Sequence, residues 1–140
     1  MTPGSDLHAQ ARKVLNRNMT DQPVNPYTST PRPISPADEK LWATLVHVGG
    51  IFFSFIPALV GFLVFGDRGP FVRGHTVTAL NFQLTMILAA LIGAITAWLL
   101  IGLVILAAVV VLIVTLSIVA AVAANRGQAY TYPVTIRFVK

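Results

Sequence analysis

Apolar positions are sparse up to residue 40 and predominate from residue 77 to residue 124. Residues 1–34 are rich in Pro, Ser, Thr and Asn, with Pro23, Pro26, Pro31 and Pro33 in one short run. Such a segment buries too little apolar surface to offset its conformational entropy, so a flexible arm, disordered or extended, is expected. Within it Leu7, Ala11, Val14 and Leu15 share a helical face opposite Arg12, Lys13 and Arg17. That pattern fits a weak surface helix, with a solvated tail of chance periodicity as the plainer reading. Met19-Thr20-Asp21 reads as an alternative start, and no apolar signal-peptide core stands in residues 1–20.

Order is expected from Ser35. Ser35-Pro36-Ala37-Asp38 supplies an N-cap, a proline at the first helical position and an acid in the first turn. A helix over 35–56 then carries Leu41, Leu45, Val46 and Phe52, with Trp42 placed near Lys40 as at a membrane interface. Gly49-Gly50 offers a flat patch for close helix approach, and Pro57 ends or kinks the run. A short helix over 57–66 stops at the polar turn Gly66-Asp67-Arg68-Gly69. Helices over 70–99 and 101–125 follow, with Gly93 and Gly102 as close-packing positions. Asn125-Arg126-Gly127 closes the last of them. The tail 126–140 alternates apolar and polar residues near its end, which suits an interfacial segment or a short strand.

No Asp, Glu, Lys or Arg occurs between Arg73 and Arg126. As helix that stretch is about 75 Å long against a hydrocarbon core of roughly 30 Å, so it must fold back at least once. Over the 140 residues 55% are hydrophobic and 11% charged, where a soluble domain carries roughly a quarter charged. The expected class is an all-α membrane protein: an N-terminal helical hairpin or kinked span plus two transmembrane helices. The net charge of +5 adds a topology. Lys40, Arg68, Arg73, Arg126 and Arg137 flank apolar segments, which suits lipid headgroups and orientation better than nucleic acid. A hairpin about Pro57 puts these residues on the cytoplasmic side, whereas one kinked span strands the basic N-tail outside, so the hairpin is favoured. The expected place is the inner (plasma) membrane, multi-pass, with both tails cytoplasmic.

Candidate chemistry is thin. There is no cysteine, no carboxylate pair at a buried position, no metal-binding spacing and no phosphate-cradling glycine loop, so neither enzyme activity nor a cofactor is expected. His47, mid-helix beside Gly49 and Gly50, is expected to be a packed neutral histidine bonded to a neighbouring helix. His75, Thr78, Asn81 and Thr85 recur at helical spacing, with Gln83 nearby. That stripe reads as helix glue, with a water-lined path as the sharper alternative. Asn81 is expected to point into the bundle and bond another helix, through His47 or a carbonyl freed by Pro57.

Four blocks in order carry a resemblance. They are Glu39-Lys40-Leu41-Trp42-Ala43-Thr44-Leu45-Val46-His47, Gly69-Pro70-Phe71-Val72, Ala79-Leu80-Asn81-Phe82-Gln83 and Tyr132-Pro133-Val134-Thr135-Ile136-Arg137-Phe138. Over about 38–140 they resemble a widespread bacterial family of small membrane proteins of unknown function, in an actinobacterial form. That family is distantly similar to the small four-helix component of the chloroplast inner-envelope import translocon. The resemblance implies a four-helix membrane fold and little about activity. The expected role is therefore a non-catalytic accessory subunit in the lipid bilayer beside other membrane subunits, with a respiratory complex as candidate host. A channel or protein-translocation component is the alternative.

Overall fold

The computed structural model describes residues 3–20 and 32–140, so most of the Pro-rich run lies outside the described residues. The chain divides into two units, Met1–Pro31 and Arg32–Lys140. The first holds helix α1, Pro3–Thr20, so this part of the expected arm takes the surface-helix alternative, while residues 21–31 lie outside the described residues. Asp6 in its first turn and Arg17 in its last complement the helix dipole, and Leu7, Val14 and Leu15 form an exposed apolar edge.

The second unit is built from α2 (Pro36–Phe53), α3 (Ile56–Phe65), α4 (Pro70–Ile95) and α5 (Ile101–Asn125), with a 3₁₀ turn at Ala97–Leu99. Ser35 caps α2, its Oγ accepting the Asp38 N–H at 3.2 Å. The chain reverses at Ser54, which takes a positive φ of 55°, and Pro57 sits in the first turn of α3. Pro57 therefore begins the returning helix and is not the tip of the turn, because proline fits a helix start where its missing N–H is not needed. The two helices run antiparallel: the Trp42 and Phe65 rings lie 4.5 Å apart, and Pro57 Cγ lies 2.9 Å from where a Gly49 Cβ would stand. The hairpin, not a single kinked span, is the arrangement of 36–65. At ten residues α3 is only about 15 Å long, too short to cross a bilayer alone.

α4 and α5 are long and apolar enough to cross, and α4 is the more enclosed of the two. The tight turn between them is closed by Gly102. A Cβ there would collide with the Gly93 carbonyl oxygen and the Ala97 nitrogen. Gly102→Ala should lower stability by about 1–3 kcal/mol, read from the midpoint of detergent denaturation.

One contact missed by the sequence reading locks the basic end of the bundle. Glu39, which stands in the sequence reading only within a block of the resemblance, reaches α4. Its Oε2 accepts the Phe71 and Val72 N–H groups at 2.9 and 3.0 Å. Gly69 supplies no side-chain cap, so a carboxylate on α2 satisfies the free donors at the start of α4. Glu39→Ala is expected to cost about 1–2 kcal/mol in the same denaturation assay.

The tail corrects a further expectation. It is not a strand but folds back against α4, and no strand occurs among the described residues.

Candidate functional site

The polar groups of the membrane core form two connected sets. The first joins α2, α4 and the tail. His75 Nε2 lies 3.1 Å from the Gln128 carbonyl oxygen, which can only accept, so this nitrogen carries the hydrogen. With both rings neutral, His75 Nδ1 then accepts from His47 Nε2 at 2.8 Å, and His47 Nδ1 accepts from the Tyr132 hydroxyl at 2.9 Å. One orientation satisfies every member, and no carboxylate touches either ring to favour an imidazolium. Burial pushes the Tyr132 phenol up from its usual pKa, which keeps its O–H as the donor. The Tyr132 ring is stacked on Phe82 at 3.9 Å and 3°, with Tyr130 edge-on at 5.0 Å. Ser117 of α5 lies in the same surroundings, and its buried hydroxyl makes no hydrogen bond of good geometry.

The second set fastens the end of the tail. Asn81 Oδ1 accepts the Phe138 and Val139 N–H groups at 2.8 and 2.7 Å, and its Nδ2 donates to the Val139 carbonyl at 2.8 Å. Thr85 Oγ1 donates to the Asn81 carbonyl at 2.8 Å and accepts the Ile136 N–H at 3.0 Å. Backbone that would be unpaired in hydrocarbon is thus paired by side chains of α4. Asn81 points into the bundle, but its partner is the tail, not His47 or a carbonyl near Pro57. A strand partner is not needed, because an asparagine amide can donate and accept as a backbone unit does.

The remaining sequence-singled residues are placed as follows. Gln83 Nε2 donates to the Gly50 carbonyl at 3.0 Å and occupies the space a Gly50 side chain would need. The Gly50 patch is thus met by one side chain of α4, and Gln83 Oε1 is left without a partner. Thr78 is half-buried and lines a cavity beneath the tail. Lys40, Arg68, Arg73 and Arg126 gather at one end of the bundle. Ile34 N–H bonds the Arg68 carbonyl at 3.1 Å, Arg73 pairs with Asp67 at 3.7 Å, Lys40 lies against Gly127, and Arg126 caps α5. Arg137 does not join them and lies deeper, beside Asn81. Among the described residues no group of three or more His, Cys, Asp or Glu is placed to hold a metal ion.

A family model matches residues 38–139, that of the magnetosome magnetite crystal formation protein family (MamF/MmsF). This named family overturns the resemblance to a family of unknown function related to the chloroplast import translocon. The four quoted blocks all fall inside the matched span. No curated protein and no solved structure matches the chain.

Proposed function

Since the chain belongs to the magnetosome magnetite crystal formation protein family, we propose that it is a non-catalytic integral protein of the magnetosome membrane, packed against other membrane proteins there. One observation carries this reading: the polar side chains that could do chemistry instead join one element to the next. His47, His75, Gln83, Asn81 and Thr85 each bond a neighbouring segment. Meanwhile Val104, Val110, Val111 and Ile118 of α5 stay exposed, an apolar face for lipid or another subunit. The respiratory host and the actinobacterial form have no support in this family and are replaced by the magnetosome membrane. Against the channel reading stands the tail, whose backbone is bonded by Thr85 and Asn81 of the stripe.

Cross-linking in native membranes followed by mass spectrometry tests the packing. A stoichiometric membrane partner is the expected outcome, and a monomer without one would overturn it. The positive-inside tendency supports an orientation with the basic end, at Lys40, Arg68 and Arg126, toward the cytoplasm. In isolated sealed magnetosomes, whose outer face is the cytoplasmic one, Arg68→Cys should be labelled by an impermeant thiol reagent while Leu99→Cys at the uncharged end is shielded. Labelling of Leu99→Cys with Arg68→Cys shielded would reverse this topology.

A further inference from the structure

Arg137 lies where an unpaired cation is hard to accommodate. Its neighbours fix its depth: the Ile136 N–H bonds Thr85, and the Phe138 N–H bonds Asn81. Those two residues stand about three to four turns into α4, roughly 16–22 Å from its start. Even with the first turn and a half of α4 among the headgroups, Arg137 is on the order of 10 Å inside the hydrocarbon. The ion pair of Arg73 with Asp67 is elsewhere. A cavity of about 380 Å³ lies beside it, lined by Thr78, Asn81, Thr131, Thr135, Arg137 and Lys140, with no Asp or Glu. The Thr135 hydroxyl is buried there without a hydrogen-bond partner.

A single arginine at that depth could carry its charge outward along its own stem. Arg137 and Lys140 line one cavity whose side chains include no acid, so both positive charges favour an anion there. The lining suits one kind of anion. A guanidinium holds two oxygens of a tetrahedral oxyanion in parallel, an ammonium adds a point charge, and threonine hydroxyls supply donors for the remaining oxygens.

We propose that this cavity binds a phosphate group, held by Arg137 and Lys140 with Thr78 and Thr131 as hydroxyl donors. An anionic phospholipid headgroup and free phosphate share that chemistry. Bound there, the phosphate bridges the tail to α4, since Thr78 belongs to α4 and the other three to the tail.

The test uses the full chain purified in neutral detergent, with phosphatidylglycerol and inorganic phosphate as the two probes. Native mass spectrometry reads retained lipid, and the thermal midpoint reads either ligand. Wild-type protein should retain phosphatidylglycerol and gain stability from it. R137Q should retain about tenfold less or lower still, and K140Q should fall in between. Circular dichroism checks that R137Q is folded, as its exposed position leads one to expect. If inorganic phosphate alone raises the midpoint, and R137Q abolishes that rise, the site stands and its ligand is soluble phosphate. Equal retention by wild type and folded R137Q, with no Arg137-dependent response to phosphate, overturns the proposal.

Discussion

Replacing either His47 or His75 with leucine should lower the stability of the membrane domain by about 2–4 kcal/mol, and replacing both should cost scarcely more. Hydrogen bonds within membranes average only about 0.6 kcal/mol in measured cycles, so the lost attraction is the smaller part. The larger part is what each single change strands. His47→Leu leaves the Tyr132 hydroxyl and His75 Nδ1 buried without partners, and His75→Leu leaves His47 Nε2 and the Gln128 carbonyl in the same state. In the double variant the histidine-to-histidine penalty disappears with both rings. Equilibrium unfolding of the four proteins closes the cycle. Strictly additive losses would mean that the two rings are independent and that the chain through Tyr132 is not a unit.

Asn81→Leu should release the tail without unfolding the helices. It removes three hydrogen bonds and strands two N–H groups and a carbonyl, which together amount to about 3 kcal/mol or more. The open tail then becomes roughly a hundredfold more populated, and trypsin cleavage after Arg137 rises in proportion where opening is faster than cutting. Limited proteolysis followed by intact-mass measurement reads this. The helical signal in circular dichroism should stay near that of wild type. A cleavage rate unchanged from wild type would show that the tail is held by something other than Asn81.

The helices were legible because their signals are local. Ser35-Pro36 marks a start by capping chemistry, Gly69-Pro70 marks another, and the uncharged run after Arg73 fixes a return through the membrane. The hairpin followed from the placing of basic residues, although its tip was set at Pro57 where the reversal falls at Ser54. The site was less legible because its pairs are distant in sequence. His47 and His75 are 28 residues apart, and metal or relay patterns are sought within one or two helical turns. The role of Glu39 was hidden because the N–H groups it accepts, those of Phe71 and Val72, lie 32 and 33 residues away. The tail misled most. Its alternation matches a strand, but the face that pairs its backbone is a row of side chains on a helix, and no rule of strand periodicity looks for that. The helical arm over Pro3–Thr20 was weighed against a proline-rich composition that belongs mainly to the residues after it.

Whether the α4 stripe fastens or conducts is decided by one paired measurement on Asn81→Leu: ion flux in liposomes and stability in the same preparation. Wild type and variant should both be impermeable, with the variant clearly less stable. Flux through the wild type that Asn81→Leu abolishes, with stability unchanged, would contradict a structural role for these residues.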